Sequence, residues 1–251
     1  MQSPISNLQS LVTNSALPSK PLLEAQAEWL APARARLLRR VGIARRQRIL
    51  DLGSGYGAVT GELVRRSSGV VVALDRVETA VSHSLSQSLP ICGDGLSFPF
   101  ADNSFDLVFC QCVLMWMGSE LETAVSEIHR ILESNGVLIA LEPDYEGMIE
   151  HPPEIATRDI WLSALPRAGA EPRVGQLLPG LLAKQGLEVR VDLLDSLVAP
   201  AAERFDFLRT LPLTYDESGT LEQAAKIAGS LDSSWEEIVH LPFFLITATK
   251  N

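Results

Sequence analysis

Three glycines at alternate positions, Gly53, Gly55 and Gly57, follow the apolar run Ile49-Leu50-Asp51-Leu52, with Ser54 and Tyr56 between them. Glycine reaches positive φ without the penalty that a Cβ imposes, so this segment can turn sharply while its backbone touches a ligand. Asp51 stands just before the turn. Asp75 follows it by roughly 20 residues, the spacing at which an acidic side chain meets ribose hydroxyls. An ionised carboxylate only accepts hydrogen bonds, so Asp75 can take both hydroxyl protons of a ribose. Further along, Glu142, Asp144, Tyr145 and His151 are groups able to move a proton. A lone GxGxG also fits any tight strand-to-helix turn, so its meaning depends on the elements around it.

Those elements form a series. Residues 49–52 read as a first strand and residues 58–66 as the helix after the turn, with Val59, Leu63 and Val64 on one face. Residues 69–76 are β-branched enough for a second strand buried on both faces, ending at Asp75. Ile91-Cys92-Gly93-Asp94 closes a third strand, and Phe98-Pro99-Phe100-Ala101-Asp102-Asn103-Ser104-Phe105-Asp106 leads into a fourth. Residues 130–140 read as a helix end, a stop at Gly136 and a fifth strand. Residues 186–195 and 241–250 read as sixth and seventh strands, separated by a mostly helical stretch, 201–240, that breaks at Thr210-Leu211-Pro212. Near the start, residues 1–19 are polar and irregular. Pro21 then opens a helix in its first turn, where a missing N–H costs nothing, with Leu22, Leu23, Ala27, Leu30 and Ala33 as its apolar stripe. The polar candidates fall at strand ends, where ligands bind in an open α/β sheet: the glycine turn, Asp75 and Arg76, Asp94 and Gly95, Gln111, and Glu142.

This ordered set resembles the class I S-adenosylmethionine-dependent methyltransferases (methyltransferase type 11), and within them the small-molecule branch that includes the quinone-biosynthesis C-methyltransferases. The resemblance is carried by Asp51 two positions before Gly53, by Asp75, by Gly93-Asp94, by the Pro99-Phe100 to Asp106 stretch, and by Leu132 leading to Gly136. It covers residues 48–144 strongly and the C-terminal third weakly. It implies a Rossmann-like, doubly wound α/β fold: a seven-stranded, mostly parallel sheet with an antiparallel last strand. Residues 1–47 would be a helical lid and residues 48–144 the cofactor half. Residues 145–251 would complete the sheet and shape the acceptor pocket, with a helical insertion before the last strand, all within one domain. A nicotinamide-dependent oxidoreductase would also use Gly53, Gly55 and Asp75. Its GxGxxG is absent, however, because the third glycine comes one residue early, and the Pro-Phe stretch has no role there. A non-catalytic S-adenosylmethionine-binding module is the other alternative.

The resemblance implies S-adenosylmethionine as cofactor. The turn from Gly53 through Ser54 and Gly55 to Gly57 would pass under its methionine and ribose. Asp51 would orient the turn or meet the amino group through water. Asp75 would hold the ribose, with Arg76 packed on the adenine edge or solvated. Asp94 would accept from the adenine amino group, with Gly95 or Leu96 offering an N–H; the alternative for Asp94 is a plain turn residue. Gln111 would face the methionine end. Methyl transfer needs chiefly alignment and exclusion of water, and a general base only if the acceptor arrives protonated. Glu142, Tyr145 and His151 are the candidates for that base, although Glu142 can equally stabilise a turn and His151, before Pro152-Pro153, can be a loop residue. The family often carries histidine where this chain has Met115-Trp116-Met117, which points to an apolar acceptor pocket. Trp116, Tyr145, Trp161, Phe205, Phe207 and Tyr215 can line it for a flat or lipophilic small molecule, or simply pack the core. Arg173 can anchor an acidic group on the acceptor or cap a helix.

Composition agrees with one enzyme-sized fold. A chain of 251 residues buries roughly three quarters of its unfolded surface, so it needs no metal or disulfide staple. The net charge of −10 argues against nucleic acid as a partner. One stretch dissents, with Arg34, Arg36, Arg39, Arg40, Arg45, Arg46 and Arg48 close together; such a stripe can meet an anionic membrane or an acidic substrate, but the favoured reading is a solvated helix face plus a loop leading into the first strand. No stretch is long and apolar enough to span a bilayer, and no signal peptide is visible. Three cysteines, all in or beside predicted strands, suit the reducing cytoplasm. Cys110 and Cys112 would face one side of the fourth strand, but a metal ligand set is incomplete.

Overall fold

The computed structural model describes residues 17–81, 87–194, 197, 200, 202–231, 233 and 235–251. In chain order the elements are α1 (Lys20–Arg40), β1 (Arg48–Leu52), α2 (Thr60–Arg66), β2 (Val70–Asp75), α3 (Glu78–Val81), β3 (Leu89–Cys92), β4 (Phe105–Gln111), α4 (Leu121–Ile131) and β5 (Leu132–Pro143). They continue as β6 (Ile149–His151), α5 (Arg158–Arg167), α6 (Val174–Lys184), β7 (Leu187–Leu193), α7 (Glu203–Arg209), α8 (Tyr215–Ala228), β8 (Ile238–His240) and β9 (Phe243–Lys250).

Seven strands form one sheet in the order β3-β2-β1-β4-β5-β9-β7. β9 runs antiparallel to both its neighbours, whereas the other five strands on its β5 side pair in parallel. This is the doubly wound sheet with an antiparallel last strand that the sequence leads one to expect. The order of the strands reverses between the parallel neighbours β1 and β4, so a crevice opens at their carboxyl ends. Successive side chains on a strand point to opposite faces, and this alternation divides the core in two. Leu50, Leu52, Val108, Cys110, Leu138 and Ala140 pack with Leu121 and Ile128 of α4 and Leu178 and Leu182 of α6. Ile49, Leu107, Phe109, Ile139 and Leu141 pack with Leu30, Leu37 and Leu38 of α1 and Leu63 of α2. Helix α1, expected as a lid, is part of one core layer, and its Trp29 meets Phe243 edge-on at 5.1 Å between ring centroids.

Several expectations shift. The helix after the glycine turn starts at Thr60, because the turn itself runs on to Val59. The helix before β5 ends at Ile131, and the left-handed residue of the following bend is Asn135 (φ 65), not Gly136. Gly136 is needed for close approach instead: a Cβ there would lie 2.7 Å from the Glu133 carbonyl oxygen. Cys112 lies beyond the end of β4 with φ 56, so it does not share a strand face with Cys110. The last strand begins at Phe243, after Pro242. The stretch expected to be helical ends in β8, which pairs with β6 as a separate two-stranded ribbon. Asp195, expected at the end of the sixth strand, lies outside the described residues, as does most of the irregular 1–19 stretch.

The arginine-rich stretch is solvated in part, with Arg36, Arg39, Arg40, Arg45 and Arg48 exposed, but it also makes tertiary contacts. Arg34 is buried. Arg40 reaches Asp192 on β7 at 2.5 Å, Arg46 donates to the Val41 and Asp106 carbonyls at 3.1 and 3.0 Å, and Arg48 pairs with Glu133. The charges tie the lid and its connection to the sheet.

Candidate active site

A cavity of about 1550 Å³ opens at the carboxyl ends of β1, β2, β3 and β4. The glycine turn, Asp75, Arg76, Asp94, Gly95 and Gln111 line it, together with Trp116, Met117, Tyr145, Met148, Trp161 and Phe207. Leu23, Gln26 and Trp29 of α1 roof it.

The turn owes its shape to backbone conformations that favour glycine: φ is 68 at Gly53, 51 at Gly55 and 82 at Gly57. At Gly53 the lack of a side chain also makes room, since a Cβ would lie 2.3 Å from Cγ2 of Val113. The Gly53 and Ser54 N–H groups both donate to the Leu74 carbonyl, at 2.8 and 3.1 Å. Asp75 braces the turn from β2: one oxygen accepts from the Gly55 N–H at 2.8 Å, the other from the Val77 N–H at 2.9 Å. Each oxygen keeps a lone pair. Asp94 lines the mouth of the cavity and also shapes its own turn, accepting from the Leu96 N–H at 3.0 Å.

Below the turn Asp51 is buried and accepts from the Thr60 hydroxyl at 2.6 Å. Burial pushes its carboxyl up to about 7; the Thr60 hydrogen bond and the Arg34 charge pull the other way, and the Asp75 charge adds to the rise. Arg34 comes from α1. Its Nε and Nη2 hold Glu62 of α2 at 2.8 and 2.7 Å, and its Nη1 donates to the Ala27 carbonyl at 2.9 Å and to Gln111 Oε1 at 3.0 Å. Arg66 holds the other oxygen of Glu62 at 2.7 Å.

The four groups expected to move protons part company. Asp144 is buried off the cavity wall, accepting from the Gln176 amide at 2.8 Å and the Glu146 N–H at 3.2 Å. Glu142 is fully buried at the end of β5 and is absent from the cavity wall. Its two oxygens accept from the N–H groups of Val113, Leu114 and Met115 at 3.1, 2.9 and 3.4 Å, capping a 3-10 segment over Leu114–Glu120. Burial pushes it up to about 7 against those three donors. It therefore positions the Met115-Trp116-Met117 wall and has no line to a ligand. His151 is exposed on β6, opposite Ile238 and away from the cavity. Tyr145 does reach the cavity, its ring 4.6 Å from that of Trp161, and burial raises its hydroxyl well above the ordinary phenol range. A phenol so shifted keeps its proton at neutral pH. Of the predicted aromatic wall, Trp116, Tyr145, Trp161 and Phe207 line the cavity; Phe205 is core, and Tyr215 is 93% exposed. Arg173 lies outside the cavity, paired with Glu171 at 3.1 Å.

Residues 50–140 match a family described as "Methyltransferase domain". Over these residues the chain is similar to the methyltransferase domains of that family. Over 93 residues the chain is 33% identical to the mitochondrial arginine-hydroxylase NDUFAF5 of Mus musculus, covering 36% of this chain and 27% of that protein. Over 100 residues it is 32% identical to the malonyl-[acyl-carrier protein] O-methyltransferase of Halorhodospira halophila, covering 37% and 34%. The match thus spans well under half the length of these curated relatives. The fold extends further: the solved YcgJ protein of Bacillus subtilis superposes with a TM-score of 0.62 over 86% of this chain and 97% of that one, at 16% identity. Among the described residues no helix is long and apolar enough to cross a membrane.

Four residues of the candidate site escape a reading by motif: Arg34, Thr60, Glu62 and Val113. For Arg34 a signal exists. Ala27, Leu30, Arg34 and Leu37 share helical spacing, so an arginine stands in the apolar stripe of α1, where a lone charge must find a buried partner.

Proposed function

We propose that this chain transfers the methyl group of S-adenosylmethionine to a small, largely apolar acceptor, releasing S-adenosylhomocysteine. The observation that carries this reading is the cavity itself: strand-end polar groups and aromatic and methionine side chains line a single space. The residues suit the cofactor. Ser54 Oγ is buried at the cavity wall with no hydrogen-bond partner, a group in want of a polar ligand. The turn would lie beneath the methionine and ribose, the spare lone pairs of Asp75 would take ribose hydroxyls, and Asp94 would meet the adenine end, with Arg76 and Gly95 beside it. Asp51 lines the cavity, tied to Thr60 of α2, and Gln111 would face the methionine end.

Bound there, the cofactor supplies an activated methyl group on a sulfonium centre. The chain's own contribution is alignment and dryness. Trp116, Met117, Trp161 and Phe207 would hold an apolar acceptor against the open end of the cofactor, and α1 would cover both. With Glu142 capping a backbone segment and His151 outside, no carboxylate or imidazole from that group serves as base. Tyr145 keeps its proton and would orient the acceptor by donating to it.

Calorimetric titration with S-adenosylmethionine, S-adenosylhomocysteine and NAD tests the cofactor. Selective binding of the two sulfur compounds supports the reading, and acceptor-dependent formation of S-adenosylhomocysteine completes it. Binding of NAD with no response to either overturns it.

A further inference from the structure

Arg34 has a chemical consequence for the ligand that its burial alone does not convey. A guanidinium has five donors and no acceptor, so the end of the Gln111 amide that meets it must be the oxygen. The contact is 3.0 Å, and the same Nη1 is anchored to the Ala27 carbonyl at 2.9 Å. Nε and Nη2 are both held by one oxygen of Glu62, whose other oxygen is held by Arg66. The guanidinium therefore cannot turn away, and the amide cannot flip without setting its NH₂ against another donor. Gln111 lines the cavity, and its Nε2 has no partner among the described residues. The face it offers a ligand is a pair of N–H donors.

We propose that Arg34, from the lid helix, is a positioning residue that fixes the polarity of Gln111, so that the site selects a hydrogen-bond acceptor, the carboxylate of the cofactor's amino-acid end, at this point. This rests on the cofactor reading above. An amide free to flip would accept an ammonium group as readily as it donates to a carboxylate. Locked, it discriminates. The arrangement also means that the selective donor is complete only when α1 is seated, which couples cofactor choice to the lid.

The test compares binding of S-adenosylhomocysteine with that of its decarboxylated analogue, by calorimetry, in the full chain and in the variants Arg34→Gln, Gln111→Met and Gln111→Glu. The wild type should favour the carboxylate form by about tenfold or more, the scale of one charge-assisted hydrogen bond. Gln111→Met should lose most of that preference while binding of the decarboxylated analogue changes little. Gln111→Glu, which keeps a strong partner for Arg34 and hence the lid seated, should invert it. Arg34→Gln, checked for folding by its thermal transition, should bring the ratio toward one. A ratio that stays at the wild-type value in Gln111→Met and Gln111→Glu overturns the inference while leaving the cofactor reading intact. Failure of the wild type to bind S-adenosylhomocysteine at all overturns both.

Discussion

Gly53→Ala separates two reasons for a glycine in the turn. The backbone φ of 68 places a Cβ-bearing residue in the left-handed region, at about 1–2 kcal/mol. The new Cβ would also meet Val113, 2.3 Å from Cγ2 and 2.8 Å from Cγ1. Valine is stiff at χ1, and the Val113 N–H is held by Glu142 at 3.1 Å, so neither side chain nor backbone yields easily. Overpacking of this kind adds about 1–3 kcal/mol. The expected loss is about 2–5 kcal/mol in all. Gly55 is the internal control. Its φ is 51, but the nearest atom to an added Cβ is Leu23 Cδ1 at 3.5 Å, an ordinary contact. Gly55→Ala should therefore lose only the backbone part, about 1–2 kcal/mol. Urea unfolding followed by circular dichroism measures both. Val113→Ala removes the two clashing methyl groups, so Gly53→Ala should cost at least about 1 kcal/mol less in that background. Equal destabilisation by the two glycine variants, with no coupling between Gly53 and Val113, would refute the steric argument.

Asp51 is held near 7 by burial, so a cationic ligand above it should bind more tightly as pH rises and the carboxylate ionises. The affinity for S-adenosylmethionine should increase between pH 6 and 8 in the wild type, and this rise should flatten in Asp51→Asn, as read by calorimetry across that range. Glu142 sits near 7 when folded against 4.5 unfolded. Between those values the unfolded chain binds fewer protons, so stability falls as pH rises by about 3 kcal/mol from this group alone. Glu142→Gln should remove that slope from urea-unfolding curves at pH 5 and 8. Glu142→Ala, which strips three N–H groups of their acceptor, should lower stability by about 3 kcal/mol or more at either pH. His151→Ala should leave turnover and its pH profile unchanged, whereas Tyr145→Phe should raise the KM of the acceptor; a loss of activity in the first would restore His151 as a base.

The sheet was legible because its signals are local. Val-Val-Val before Asp75, glycines at φ positions that other residues avoid, and Leu132 leading to the bend at Asn135 each declare themselves within a few residues. The Pro99-Phe100 stretch was legible as a signature but not as a structure. Its reason lies in Arg130 of α4, which donates to the Phe100 carbonyl and Asp102 at 2.8 and 2.9 Å. The candidate site divides the same way. Asp51, Asp75 and the turn follow from strand ends, whereas Glu142 looks identical in sequence whether it faces a ligand or caps the Leu114 segment. Only the register of β5 against β4 decides which. Arg34 and Gln111 are joined by tertiary contact across a long separation, which no local periodicity encodes. The β6–β8 ribbon is too short for its alternation to stand out.

The placement of β9 between β5 and β7 sets an order on assembly. β1 to β5 can pair as they leave the ribosome, since each finds its neighbour among strands already made. β7 cannot: its sole partner in the sheet is β9, and the whole helical insertion is synthesised between the two. Until β9 arrives, β5 presents an open edge and β7 an unpaired strand, both templates for wrong pairing. Docking of β9 closes the β5 edge and captures β7 in one event, and Lys250 then seals the seam through the His129 and Leu132 carbonyls at 2.8 and 2.6 Å. A nascent chain stalled anywhere between residues 194 and 242 would hold most of its cofactor half in native form and still be prone to aggregate.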